Sequence, residues 1–427
     1  MSIELGVIAD DITGACDVAA GVGAAGLDVV IRIGVPDAQQ APDASCVIVA
    51  LKSRTAPVAA AVAESIAAAD VLRRWGARRL YQKYCSTFDS TDAGNIGPVA
   101  DALLAQLPQG AISVGTPATP AAGRTMHRGH LFVGDRLLSE SSLAEHPLTP
   151  MRDPDLVRVL SRQTPHTVAS VGIEEVHRGA EEVSRRLADL RADGVRHVLL
   201  DAVEDADLDA VARTLAEESA TDGVLLGGAA GLAVALARQI GTATSPAPHR
   251  PPHGESLILS GSGSERTRAQ VAAHDGPPFT LDVDALALDA DVVVAAALAF
   301  IDTALADTAS GVPLISATAD PGEVRRAQQH WGRERAAELV EDALARIAVR
   351  AVERHGVRRI LVAGGETSGA VAAALGVATL RVRRVVAPGV AWTTATDADG
   401  RELDLCFKSG NFGDEHLFGG AWVEDES

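Results

Sequence analysis

The chain has 427 residues, 47% hydrophobic and 22% charged, which is the composition of a globular protein with room for two domains, each burying its own core. Its formal net charge of −19 excludes the basic footprint of non-specific nucleic-acid binding, and no apolar run reaches the length of a membrane span. Four scattered cysteines (Cys16, Cys46, Cys85, Cys406) form no C-x-x-C pair, so neither a disulfide framework nor a zinc site is expected. With no basic leader before the first strand-like segment, the expected location is the cytoplasm.

In chain order, IELGVIA predicts a first strand and the stretch from Gly14 to about Ala25 a helix. CVIVAL predicts a strand followed by the helix APVAAAVAESIAAADVLRRWG, and RRLYQKYCS a strand followed by the helix IGPVADALLAQLP and the strand GAISVG. This alternation predicts an α/β fold with a largely parallel sheet flanked by helices. Right-handed crossovers place the carboxyl ends of such strands on one edge, where ligands of open α/β sheets bind. At that edge the chain is polar: Asp10-Asp11-Ile12-Thr13-Gly14, Lys52-Ser53-Arg54-Thr55, and Cys85-Ser86-Thr87-Phe88-Asp89-Ser90-Thr91. Residues from about Met126 to Pro150 fit no βα unit and read as a hairpin or flap over that site. The Pro-rich stretch Thr242–Ser256 reads as a linker, dividing residues 1–241 from residues 257–427. Beyond it, LILSGSGSERTRAQVAA and RRILVAGGETSGAVAAALG each read as strand, glycine turn and helix.

The basic residues are 38 in number, yet only Lys52, Lys83 and Lys408 are lysines. Arginine does not replace lysine where a compact mobile charge is needed, so each lysine is a candidate site residue. Asp10, Asp11 and Asp17 flank the turn into the first helix. One aspartate there is ordinarily a cap. An adjacent pair after a buried strand points to a general base, to hydrogen bonds with sugar hydroxyls, or to a magnesium contact. Lys52, Arg54, Lys83, Arg124 and Arg128 supply cations suited to a carboxylate or a transferring phosphoryl group, although a surface ion pair is the ordinary fate of an arginine. His127, His130 and Cys85 read as structural. In the second half, the turns Ser260-Gly261-Ser262-Gly263-Ser264 and Gly364-Gly365-Glu366-Thr367-Ser368-Gly369, with Lys408-Ser409-Gly410-Asn411, suit phosphate held by backbone amides at helix N-termini. No P-loop or G-x-S-x-G pattern occurs, and neither of these two glycine turns completes a dinucleotide G-x-G-x-x-G with a trailing acidic residue.

Taken together, ADDITGACD, ALKSRT, KYCSTFDSTDAGNIGPV, GRTMHRGHLFVGDRLLSES, HPLTPM, VAGGETSGAV and KSGNFG resemble the four-carbon acid sugar kinases over nearly the whole chain. The CSTFDST and GNIGPV segments, with GHLFVGDRLLSES and HPLTPM, are similar to the family's 3-oxo-tetronate branch. The resemblance implies an N-terminal acid-sugar domain and a C-terminal nucleotide domain, each a largely parallel sheet flanked by helices, facing each other across the active-site cleft. It implies ATP-dependent phosphorylation of a C4 hydroxyl, with 3-oxo-tetronate expected ahead of D-threonate or D-erythronate. By motif, ATP contacts fall on Ser260, Ser262, Ser264, Gly364, Gly365, Glu366, Thr367 and Gly410. Substrate contacts fall on Asp10, Asp11, Lys52, Arg54, Lys83, Ser86, Thr87 and Asp89. Gly263 departs from the family, where another small residue is common. Asp11 or Asp89 is expected to accept the C4 proton, Lys83 is a further catalytic candidate, and Mg²⁺ is expected to bridge the phosphates, with no protein ligand assigned to it. A symmetric homodimer is the expected assembly. The rival readings are a non-catalytic acid-sugar sensor, and a lyase or isomerase using Lys83 as a Schiff-base lysine.

Overall fold

The computed structural model describes residues 2–88, 91–145, 150–219, 223–241, 250–306, 311–318 and 321–422. The chain divides into two units, Met1–Pro246 and Ala247–Ser427. Residues 242–249 of the expected linker lie outside the described residues, as does Asp89.

The first unit runs β1 (Leu5–Ala9), α1 (Ile12–Ala24), β2 (Val29–Ile33), β3 (Cys46–Ala50), α2 (Val58–Arg74), β4 (Leu80–Lys83), α3 (Ile96–Leu104) and β5 (Ile112–Thr116). It continues with β6 (Arg124–His127), β7 (His130–Val133), β8 (Arg136–Leu137), α4 (Leu156–Ser161), β9 (Val168–Val171), α5 (Ile173–Val176) and α6 (Ala180–Ala192). β10 (His197–Leu200), α7 (Asp205–Glu218), β11 (Val224–Gly228) and α8 (Ala230–Ile240) complete it. The main sheet has the order β2-β3-β1-β4-β11-β5-β10-β9, with parallel pairings throughout. LGVIA and CVIVA are buried at every position, as a parallel sheet covered on both faces requires. α2 and α3 close one core through Ala61, Ala68, Leu72, Val99 and Leu103. α1 packs on α8, and Gly21 permits that approach, since a side chain there would run into Val234.

The chain lays β2 and β3 on one side of β1, and α2 then carries it to β4 on the other. β1 is therefore the topological switch point, the place where such sheets bind ligands. Ala9 is level with Ala50 and with Lys83, so the polar segments after β1, β3 and β4 emerge together.

The expected hairpin exists and begins at Arg124: β6, β7 and β8 form a small antiparallel sheet. Met126 and Ala202 exchange backbone hydrogen bonds of 2.8 and 3.0 Å, which anchors it. Its tight turn places Arg128 and Gly129 at φ of 49° and 75°. The buried Asp201 carboxylate accepts hydrogen bonds from both backbone amides of that turn and from Ile173 N. Residues 146–149, within the HPLTPM motif, lie outside the described residues.

The second unit runs β12 (Glu255–Ser260), α9 (Glu265–Ala272), β13 (Phe279–Thr280), α10 (Val283–Ala306), β14 (Leu314–Ser316), α11 (Pro321–Trp331), α12 (Arg333–Arg354), β15 (Val357–Ala363) and α13 (Gly365–Ala374). β16 (Thr379–Ala387), β17 (Val390–Thr396), β18 (Glu402–Lys408) and α14 (Leu417–Gly420) follow. The strand order is β13-β14-β12-β15-β18-β17-β16. The first four pairings are parallel, whereas β18-β17-β16 are antiparallel. Ile258, Leu361, Trp392, Cys406 and Phe418 anchor its core. Ser260 is level with Ser316 and Ala363, and Ala363 with Lys408, so the turns after β12, β14, β15 and β18 share one edge.

Candidate functional site

In the first unit the chain turns sharply after β1, and Asp11 caps α1 by accepting 2.9 Å from Gly14 N and 2.7 Å from the Thr13 hydroxyl. Asp10 takes a fork of two bonds from Arg54, from Nε at 2.8 Å and from Nη2 at 3.0 Å. Arg54 Nη2 also lies 2.9 Å from Asp11 Oδ1. Lys83, only 4% exposed, stands 3.6 Å from Asp10 Oδ1 and 3.7 Å from Asp11 Oδ1. Its ammonium sits over the first turn of α1, where any side chain on Gly14 would collide with Nζ. Four of the expected residues thus form one network of two carboxylates and two cations.

Burial opposes the charge on Asp11, but the Arg54 and Lys83 cations and its two hydrogen bonds outweigh burial and hold the carboxyl far below the usual carboxylate range. Burial likewise opposes the charge on Lys83, and Asp10 and Asp11 outweigh it, so the ammonium titrates above an ordinary lysine. The same two carboxylates raise Arg54. Asp17, one turn further along α1, behaves in the opposite way. Burial raises it, Lys83 and Arg124 only partly counter that, Asp11 adds to it, and the carboxyl is pushed up to about 6.

The remaining expected residues separate. Lys52 is exposed and Ser86 half-buried. Thr87 is buried, its Oγ1 2.9 Å from Cys85 Sγ. Phe88 is fully buried at φ 53°, an unusual backbone for a bulky residue, held edge-on against Tyr84. Arg128, which sequence reasoning grouped with the site cations, is exposed and pairs with Glu174 at 3.1 Å. Sequence reasoning did not single out Asn95. Its buried amide donates 2.7 Å to Ser53 O and 2.8 Å to Ala56 O, and so shapes the loop that carries Arg54. The signal was its place in GNIGPV directly before a helix.

In the second unit three turns interlock. A side chain on Gly261 would strike Thr367 Oγ1, and one on Gly410 would strike Ser262 Oγ and come within 3.0 Å of Ser264 Oγ. Gly364 has φ 125°, and α13 starts without a side-chain cap at that residue. The Ser264 hydroxyl caps α9 by accepting from Thr267 N, and it donates 2.6 Å to Gly410 O. Ser260 is fully buried, its hydroxyl 2.7 Å from Thr318 Oγ1, which itself donates to Ser262 O. The Ser260 and Ser264 side chains therefore shape the turn. Glu366 is exposed, Thr367 is buried and Gly365 half-buried at the α13 N-terminus. Lys408 is fully buried and donates to Thr267 Oγ1 (3.1 Å), Gln270 Oε1 (2.8 Å) and Gly410 O (3.2 Å).

The carboxylate–cation network of one unit is chemistry that suits a sugar acid, and the interlocked glycine–serine turns of the other suit a phosphate. The family models agree: residues 5–236 match a sugar-binding N-terminal domain and residues 257–418 a nucleotide-binding C-terminal domain. The chain is 47% identical to the 3-oxo-tetronate kinase of Burkholderia multivorans, covering 97% of this chain and 95% of that one. It is 48% identical to that of Cupriavidus necator, with the same coverage. A crystal structure of a Salmonella typhimurium LT2 protein, 36% identical, superposes with a TM-score of 0.86 over 98% of this chain and 99% of that one. The chain belongs to the four-carbon acid sugar kinase family. Among the described residues no helix is long and apolar enough to cross a membrane.

Proposed function

We propose that this chain is an ATP-dependent kinase that phosphorylates the C4 hydroxyl of 3-oxo-tetronate. The observation that carries the reading is near-full-length identity with proteins named for that activity. The first-unit network supports it, because Arg54 and Lys83 offer charge to a sugar-acid carboxylate or a phosphoryl group while Asp10 and Asp11 can accept from sugar hydroxyls. ATP is assigned to the turns 260–264, 364–367 and 408–411, whose glycines leave room for phosphate oxygens beside backbone amides. The donor set there is rich in hydroxyls with a single carboxylate, Glu366. That set fits Mg²⁺ held mainly by phosphates and water rather than by a protein cage. When bound, the metal would neutralise charge on the transferring group. A cytoplasmic homodimer is the assembly we assign. The lyase reading loses support because Lys83 stays protonated beside its carboxylates, and an ammonium cannot attack a carbonyl.

The test is ADP release by the purified protein with ATP and Mg²⁺ across 3-oxo-tetronate, D-threonate and D-erythronate. Turnover confined to the oxo acid is expected. Turnover on a hydroxy acid alone would keep the family and overturn the substrate. Nucleotide binding without turnover on any of the three would point to a different acid, and acid binding with no nucleotide binding would favour a sensor.

A further inference from the structure

Among the described residues, Asp17 is the site carboxylate that the ion pairs leave unused. It lies one helical turn after Gly14, so the two share the face of α1 over which the Lys83 ammonium sits. The side chain is half-buried and in electrostatic range of Asp11 before α1, Lys83 on β4 and Arg124 on β6. Among the described residues its carboxylate makes no hydrogen bond or ion pair. Asp10 and Asp11 differ. Both are engaged by Arg54, and Asp11 in addition caps α1 and accepts from Thr13. Oxygens committed to those donors are poorly placed to take a further proton, and Asp11 is too weak a base to keep one.

We propose that Asp17 is the general base, taking the C4 proton as the hydroxyl oxygen attacks the γ-phosphorus of ATP. This rests on the kinase reading above. A bond forms between the C4 oxygen and the γ-phosphorus. The bond from that phosphorus to the β,γ-bridging oxygen breaks, ADP leaves with its electron pair, and the proton ends on the Asp17 carboxylate. A carboxyl pushed up to about 6 is ionised at neutral pH yet retains enough proton affinity to act. Lys83 remains a cation and stabilises the negative charge that develops beside it. The sequence placed Asp17 near the site, but which carboxylate stays unpaired depends on where Arg54 and Lys83 go.

The test follows kcat and KM of wild type, Asp17→Asn and Asp17→Ser with 3-oxo-tetronate and Mg²⁺–ATP from about pH 5 to about pH 9. Wild-type kcat is expected to rise through an acid limb near pH 6. Asp17→Asn is expected to lose about 100-fold to 10,000-fold in kcat together with the limb, with KM for the acid changed by less than about threefold. A variant that keeps kcat within about fivefold, or keeps the same acid limb, overturns the assignment. If both variants fail to fold, as judged by circular dichroism, the wild-type profile decides, and its lacking an acid limb near pH 6 overturns the proposal. A wild type inactive on every acid overturns the kinase reading and this proposal with it, so the two failures are distinguishable.

Discussion

Among the described residues, Lys408 has only neutral oxygens as hydrogen-bond partners: a threonine hydroxyl, a glutamine amide and a backbone carbonyl. Burial disfavours its charge, Arg266 adds repulsion, and the ammonium is pushed down to about 7. A polyanion bound at the Gly410 turn would favour the charged form and lift that value again. Nucleotide binding at pH near 7.5 should therefore take up a fraction of a proton, a gain that fades at lower pH, where Lys408 is already protonated. Calorimetry in two buffers of different ionisation enthalpy reads this as a buffer-dependent binding enthalpy, and Lys408→Met should abolish the dependence. Equal enthalpies in both buffers for the wild type would place the phosphates away from Lys408. The scarcity of lysine marked this residue, but not its use. That depends on Gln270, which lies far off in sequence and lines up with Lys408 only because α9 packs beside the end of β18. Ser260 is the converse case: a conspicuous hydroxyl in a glycine-rich turn that the segment following β14 occupies through Thr318.

At the scale of elements, the parallel strands were legible because each is a short apolar run with polar residues at its carboxyl end. The antiparallel close of the second unit was not, although the turn Pro388-Gly389 between two β-rich runs is a hairpin signal, with Gly389 at φ 71°. The loop carrying Arg54 is irregular, and its shape comes from α3 rather than from its own residues. Asn95 at the head of α3 donates to the carbonyls of Ser53 and Ala56. Asn95→Ala should leave those buried acceptors unpaired and cost about 1–3 kcal/mol. Asn95→Asp should cost more, since it sets an acceptor against acceptors. Urea unfolding checks the order. Loosening the loop should also raise KM for the acid, as Arg54 loses its fixed place against Asp10. If Asn95→Asp proves no less stable than Asn95→Ala, the amide is not the brace of this loop.

At the scale of the whole molecule, a protein of net charge −19 is assigned two anionic ligands. Long-range attraction cannot gather them, so each must be held by donors concentrated within a few ångströms, which screening by salt scarcely weakens. In the first unit the proposed donors are side chains, Arg54 and Lys83, balanced by Asp10 and Asp11. In the second the proposed donors are backbone amides of three interlocked turns and of the α13 N-terminus. Two different chemistries imply two separable footprints. A non-hydrolysable ATP analogue alone should slow amide hydrogen exchange at residues 261–264, 364–368 and 409–412 while leaving residues 10–16 and 52–55 unchanged. The sugar acid alone should do the reverse. Mass-spectrometric exchange of the full chain with each ligand in turn reads both footprints. Nucleotide protection centred on residues 10–16 would exchange the two assignments, and with them the side from which the phosphoryl group must come.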